Sequence, residues 1–297
     1  MSTAIDSANS FVALRSRVRD YYELTKPEVN LLILMTTSAG FYLGSQGTFQ
    51  TGKLVATLLG TLLVASGTAT LNQLMEMRYD GQMRRTAQRP LASGRLTKWE
   101  ALAFGLVLSA AGGLYLALAV NLLSAALAIS TLLAYLLVYT PLKRVTPLCT
   151  MLGAIPGAMP TLIGWAGSSG HINGEAWFLF AVLFLWQFPH FLAIALMYRE
   201  DYAQAGFHML PAFDADGRFT KIEIIMFTVV LVLATALHAP GPGAVFYSLA
   251  MFAAGSFFLY YTAKLAASNS RAVASRVVHA SVIYLPVVLA ILAVWKR

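Results

Sequence analysis

AWFLFAVLFLWQFPHFLAIALMY, running from Ala176 to Tyr198, carries no charged side chain anywhere along its length. A helix needs about 20 mainly apolar residues to cross the hydrocarbon core of a bilayer, and this stretch supplies them. Eight further stretches of the same kind flank it, approximately Val29–Gly44, Leu54–Leu74, Trp99–Val120, Leu122–Tyr139, Met151–Gly167, Ile222–His238, Ala244–Ala263 and Val277–Val294. Composition agrees: 58% of the 297 residues are hydrophobic and 11% charged, and the mean hydropathy is +0.67. No ordinary water-soluble domain has this balance. The alternation of apolar and polar residues that marks barrel strands is absent, so helices must satisfy the backbone in lipid. The sequence predicts an all-α polytopic membrane protein with nine transmembrane helices.

A net charge of +8 would suggest nucleic acid in a soluble chain, but here the placement of charge decides, and no nucleic-acid partner is expected. With the N-terminus cytoplasmic, only Lys53, Lys296 and Arg297 of the 21 lysines and arginines fall on the outer side. That satisfies the positive-inside rule, and nine spans then put the C-terminus outside. Residues 1–27 read as a cytoplasmic segment, and 28–297 as one transmembrane domain with cytoplasmic loops at 75–98 and 199–221. Nothing before Val29 has the apolar core of a signal peptide, and Asp6, Asp20, Glu23 and Glu28 are unlike an acid-poor transit sequence; the first span serves as its own insertion signal. The single cysteine, Cys149, excludes an intramolecular disulfide and a cysteine metal cluster, and reads as a packing residue.

The outer links are short, such as Asn121 and the APGPG of Ala239–Gly243, whereas two cytoplasmic links are long and are where a site is expected. MRYDGQ after the second span and YREDYAQ after the sixth each place an arginine before an acidic residue, with a tyrosine beside it. This suggests a four-helix pseudo-repeat in which two acidic loops face one another. Gly153, Pro156, Gly157, Pro160 and Gly164 interrupt the fifth span and Pro189 the sixth, either simply tolerated in lipid or shaping a cavity.

Asn72, Glu76 and Asp80 stand at i, i+4 and i+8, which puts them on one face of a helix leaving the second span. Their oxygen ligands suit Mg²⁺, which binds through one or two carboxylates plus substrate phosphates. The plainer alternative is solvated ion pairing with Arg84 and its neighbours; the position at the hydrocarbon boundary, where ionisable groups are costly, favours function. RRTAQRP adds Arg84, Arg85 and Arg89, whose guanidinium forks fit a phosphate group, with anionic lipid headgroups as the competing reading. In YTPLKR, Tyr139 and Lys143 are either an interfacial aromatic and a positive anchor or, with Arg144, part of a diphosphate site. YREDYAQAG brings Arg199 to that basic set, and Glu200 and Asp201 for a second cation or a wall of the site. A hard cation, a diphosphate and a lipid-soluble tail together describe an allylic prenyl diphosphate. Mg²⁺ and basic side chains would stabilise the departing diphosphate, while Tyr139, Trp186 or Phe188 would face the electron-poor prenyl fragment.

At these residues the sequence resembles the UbiA-type intramembrane prenyltransferases, and within them the branch that farnesylates protohaem. The likeness runs from LTKPEVNLL at Leu24 to YLPVVL at Tyr284. It takes in the NxxxExxxD pattern at Asn72, RTAQRPLASG at Arg85, YTPLKR at Tyr139, GAMPTLIGWAG at Gly157, WQFPHF at Trp186 and YREDYAQAGFHMLP at Tyr198, in that order. The resemblance implies a nine-helix bundle in a bacterial plasma (inner) membrane, with its pocket near the cytoplasmic face. It also implies Mg²⁺-dependent transfer, with one or two ions, of farnesyl from farnesyl diphosphate to a vinyl group of protohaem IX. Haem b is then substrate rather than fixed cofactor, and water addition gives haem O. By matching motif, Asn72, Glu76 and Asp80 form the first acidic cluster, Asp201 belongs to the second, and Tyr139 and Lys143 match the family's tyrosine–lysine pair. Two departures stand out: Glu76 is Asp in many relatives outside the haem branch, and the second cluster's later Asp is Ala205 here, with Glu200 as its candidate substitute.

His190, within an apolar span, reads either as a structural core histidine or as a residue that contacts haem iron; His208 and His279 are weaker candidates, and His171 and His238 lie toward the outer side. Two other functions compete. A sister enzyme would prenylate an aromatic quinone precursor, against which WQFPHF and Glu76 argue; a transporter would place its charges near the bilayer midplane, whereas these gather at one face. A haem A synthase or an oxidase assembly factor would be a partner in the implied pathway, and no residue specifies the contact.

Overall fold

The computed structural model describes residues 16–214, 216–238, 243–268 and 270–296. The expectations that rest on residues 1–15, on Ala239–Pro242 and on Arg297 fall outside them. Within lipid an apolar run must satisfy its own backbone, and the chain does so by helix throughout. Among the described residues nine long helices form: α1 Pro27–Gly44, α2 Thr51–Asp80, α3 Lys98–Ala119, α4 Leu122–Leu142, α5 Cys149–Ser169, α6 Gly174–Met197, α7 Arg218–Leu237, α8 Ala244–Ala266 and α9 Arg271–Val294. Eight of them, α2 to α9, are long and apolar enough to cross a membrane. The remaining one, α1, has 18 residues and begins with Pro27, Glu28 and Asn30, which dilute its apolar character; its crossing belongs to the proposal below.

Helix α2 explains how charge and lipid coexist. Its 30 residues span about 45 Å at 1.5 Å per residue, more than the roughly 30 Å of hydrocarbon, so its last turns stand clear of the core. Residues 75–80, which the sequence places at the start of the long link yet reads as a helix leaving the second span, are helical. The second long link is also partly helical, at Arg199–Gln204 and Leu210–Phe213. Pro156, Pro160, Pro189 and Pro286 lie inside α5, α6 and α9 without ending them.

The helices form two groups. In the first, α1 packs on α5, α2 on α3, and α4 lies against both α3 and α5. The α1–α5 and α2–α3 seams are backbone contacts: a Cβ at Gly164 would strike the Thr37 carbonyl, and one at Gly112 would lie 2.7 Å from the Val64 nitrogen. Small residues at such crossings let membrane helices approach closely. In the second group α6 is central, touched by α5, α7 and α9, with α8 against α7 and α9. Large side chains fill these seams, including Trp186, Tyr247, Phe258 and Tyr284. At the end of the bundle where the two long links lie, a smaller cluster of Met83, Cys149, Phe207 and Met209 caps it. Cys149 is buried there, its sulfur 3.6 Å from that of Met209.

Candidate active site

The inward face of α2 carries Asn72, Glu76 and Asp80, all buried, while Met75 and Arg78 point outward. Each buried polar group has a partner from a different element. Lys143, just past α4, places its Nζ 2.8 Å from Glu76 Oε1. Arg89, in the link after α2, donates from one nitrogen to both Asp80 oxygens at 2.8 Å. Asn72 accepts from Lys26 Nζ at 2.9 Å and donates to Thr140 Oγ1 at 3.2 Å. The link itself is pulled over the end of α2, where Thr86 Oγ1 donates to the Asp80 carbonyl at 2.9 Å. Farther along it, Arg95 holds Asp20 at 2.8 Å and Glu23 at 3.0 Å.

Lys143 reaches Glu76 because α4 is not a regular helix. Residues Ala134–Tyr139 form a π turn, a widened geometry found mostly at functional sites. It ends just before Pro141, whose ring would crowd the carbonyl of Leu137 in a regular α-helix. The widened turn presents Tyr135 and Tyr139 below Lys143, whose ammonium lies 4.4 Å from the Tyr139 ring and 5.8 Å from that of Tyr135. Burial opposes the charge on Lys143, but Tyr139 and Glu76 beside it outweigh that cost and hold its pKa above the ordinary lysine value.

The second acidic segment meets the link that follows α2. Asp201 is buried in Arg199–Gln204 and accepts from Arg84 Nε at 3.1 Å. Glu200 is solvated, 3.5 Å from the same guanidinium, so the two adjacent acids do not occupy one place. Arg85 turns to Tyr202 and Tyr198, with 3.4 Å to the Tyr202 hydroxyl and 5.1 Å from Cζ to the Tyr198 ring. Arg144 stacks 4.1 Å over Tyr79 and bonds its hydroxyl. Arg199, with Arg84 and Arg85, lines a separate cavity. Of the expected diphosphate set, Arg89 and Lys143 therefore hold the carboxylates of α2, and the others spread away from them.

Trp186, Phe188 and His190 are not brought to this cluster. Trp186 and His190, one turn apart on α6, stack on each other at 4.8 Å and both bond Ser281 of α9, through its carbonyl at 2.8 Å and its hydroxyl at 2.7 Å. Phe188 points elsewhere and stacks on Phe227 of α7 at 3.8 Å, as the helical period requires for a residue two positions away.

Three neighbours of the carboxylates escaped the sequence reading: Lys26, Tyr135 and Thr140. Lys26 is the one non-glycine residue with positive φ among the described residues, at 51°. A side chain held in that sparsely occupied region is a feature of functional sites. Burial, reinforced by the Arg89 guanidinium, pushes its pKa down to about 7. The signal was present in LTKPEVNLL, a lysine at the entrance of the first span; nothing in the sequence ties it to Asn72, 46 positions away.

The acids and histidines do not gather into a preformed metal cluster; among the described residues no three lie together in that way. The donor set nevertheless fits Mg²⁺: the carboxylates of Glu76, Asp80 and Asp201 and the Asn72 amide are hard oxygens, with lysine and arginine alongside. That ion completes its shell with water and substrate phosphate.

Comparison with known proteins places this architecture. The family model described as UbiA prenyltransferase family matches residues 33–292. A protoheme IX farnesyltransferase of Solibacter usitatus is 47% identical over 281 residues, covering 91% of this chain and 96% of its own. One of Koribacter versatilis is 42% identical, covering 93% of each. Among solved structures, a UbiA homologue from Archaeoglobus fulgidus bound to DMAPP and Mg²⁺ has a TM-score of 0.69 at 18% identity, covering 93% of this chain and 99% of that one. A structure of digeranylgeranylglyceryl phosphate synthase has a TM-score of 0.74 at 18% identity, covering 95% and 99%. With the fold and a family match over residues 33–292, the chain belongs to the UbiA prenyltransferase family.

Proposed function

We propose that this chain transfers farnesyl from farnesyl diphosphate to a vinyl group of protohaem IX. The allylic C–O bond breaks and diphosphate leaves. The farnesyl C1 bonds the terminal vinyl carbon, and the inner vinyl carbon takes hydroxyl from water with release of a proton, giving haem O. The observation that carries the reading is the meeting of buried carboxylates and bases, Glu76 with Lys143 and Asp80 with Arg89, at the end of a helix longer than the bilayer core. The names of the most similar relatives support the acceptor and the prenyl group.

In this reading Asn72, Glu76, Asp80 and Asp201 would hold Mg²⁺, with Glu200 at the solvent side, and the ion would supply charge neutralisation for the leaving diphosphate. Lys26, Lys143 and Arg89 bind diphosphate oxygens, and Arg84 keeps Asp201 oriented. Tyr135 and Tyr139 present ring faces beside Lys143, suited to stabilising positive charge on the allylic fragment. The site faces the cytoplasm of a bacterial inner membrane, with nine spans, the N-terminus inside and the C-terminus outside.

Incubation of the purified protein with haem b, farnesyl diphosphate and Mg²⁺, with the porphyrin product identified by mass, tests the proposal. Haem O is expected. Prenylation of an aromatic quinone precursor with no haem O would replace the acceptor.

A further inference from the structure

A cavity of about 670 Å³ opens at the same end of the bundle as the carboxylates, between the end of α6, the segment after it and the α8–α9 corner. None of Lys26, Asn72, Glu76, Asp80, Arg89 or Lys143 lines it. It meets the site just described through Arg84, Arg85, Arg199, Glu200 and Asp201, with Arg84 paired to both acids.

Its charge is basic: Arg84, Arg85, Arg199, Lys221 and Arg271 against Glu200, Asp201 and Asp216. Arg84 is already engaged by two of those acids. The arrangement of two others is more telling. Arg85 and Arg271, from opposite ends of the sequence, hold their guanidinium carbons 5.1 and 5.2 Å from one ring, that of Tyr198. Two cations drawn to one neutral plate repel each other, and an anion between them turns that repulsion into two charge-assisted hydrogen bonds. Arg271 is also the first residue of α9, 24 residues long, where the helix dipole favours negative charge.

We propose that this cavity seats the carboxylates of the acceptor, the two propionates of protohaem, apart from the place where diphosphate binds. The inference rests on the acceptor assigned above. Protohaem carries its propionates on the edge opposite its vinyl groups, so an acceptor anchored by that edge leaves the reactive edge free to turn toward the farnesyl group. The cavity has the matching character. Its rim is basic and its floor is apolar, made of Leu196, Met197, Leu265 and Ala274. Met197 stands seven residues after His190 on α6, and Ala274 seven before Ser281 on α9, so both share helical faces with that bonded pair. The floor is therefore the top of the seam that holds His190.

The test uses the full chain in nanodiscs and compares binding of protohaem IX with that of its dimethyl ester, which lacks both negative charges, by titration of the Soret band. Binding of farnesyl thiodiphosphate with Mg²⁺ is measured in parallel. Wild type is expected to prefer the diacid by about tenfold. Arg271→Gln should lose that preference with farnesyl thiodiphosphate binding unchanged, which also shows that the variant is folded; Arg271→Lys should keep part of it. An unchanged preference in Arg271→Gln overturns the assignment of the cavity and leaves the acceptor standing. Equal loss of both ligands also overturns it, since the cavity would then serve the diphosphate or the fold. If wild type binds the ester as well as the diacid, and phosphatidylglycerol nanodiscs weaken both relative to phosphatidylcholine, the cleft takes a lipid headgroup phosphate instead. Absence of any protohaem binding by wild type refutes the acceptor and the cavity together.

Discussion

Lys143→Met tests the central pair of the site. Lys143 and Glu76 lie 2.8 Å apart with their side chains 13% and 9% exposed, so the substitution leaves a carboxylate buried without its nearest base. Removing one member of a buried pair costs about 3–5 kcal/mol. The Lys26 ammonium also acts on Glu76 and takes over part of the neutralisation, which brings the expected loss to about 2–4 kcal/mol. Glu76→Gln is milder, because the amide oxygen still accepts from Lys143; about 1–2 kcal/mol is expected. The double variant buries neither charge, and methionine fills the stem of Lys143 over Tyr139, so its loss should match Glu76→Gln alone. The coupling then equals the loss for Lys143→Met alone, about 2–4 kcal/mol, well above the additivity limit for independent sites. Unfolding in mixed micelles with increasing dodecyl sulfate, followed by tryptophan fluorescence, measures all four proteins. Losses additive to within about 0.5 kcal/mol would refute the reasoning, since both groups would then be separately solvated.

Asp80→Ala or Asn72→Ala should abolish farnesyl transfer while the helix content by circular dichroism is kept; near-normal turnover would remove them from the metal site. His190→Ala should weaken protohaem binding more than that of farnesyl thiodiphosphate, and equal loss of both would leave His190 without a special role. Lys26, with a folded pKa of about 7 against an ordinary lysine value of 10.5, binds fewer protons folded than unfolded between those values. Its contribution to stability therefore rises with pH through that window, by at most about 1.4 kcal/mol per unit. Lys26→Met should flatten the pH dependence of unfolding there, and an unchanged slope would show the ammonium to be solvated. Gly164→Leu should destabilise by about 1–3 kcal/mol in the same unfolding assay, whereas Gly174→Leu, at a position with nothing within 4 Å, should change little.

The span pattern and the inward set on α2 could be read in the sequence because both depend on spacing along one chain segment. Asn72, Glu76 and Asp80 are four apart, and a helix converts that spacing into a face. The partners of those residues could not be read in the same way. Lys143 lies 67 positions from Glu76 and Arg84 lies 117 from Asp201, and no local period links them. The π turn in α4 was hidden too, since AYLLVY has an ordinary helical composition; Pro141 after it was the available hint. The division between Arg89, which holds Asp80, and Arg85, which faces Tyr198, was equally invisible. Four residues separate them, but the link that carries them winds back over α2 and aims them apart. Trp186 and Phe188 read alike as ring faces for the prenyl fragment and His190 as a core or haem residue, whereas the helical period sends Trp186 and His190 to α9 and Phe188 to α7.

The two kinds of helix seam have unequal mechanical consequences. Where α1 meets α5 and α2 meets α3, a Cβ at Gly40, Gly164 or Gly112 would strike the facing main chain, and such crossings leave little room for sliding. Those seams hold α1 against α5 and α2 against α3. The seams around α6 are filled by side chains that can change rotamer, the requirement for small shearing displacements between packed helices. Small shearing displacements are therefore more readily accommodated among α6 to α9 than across the glycine crossings that hold the helix carrying Glu76 and Asp80 against α3.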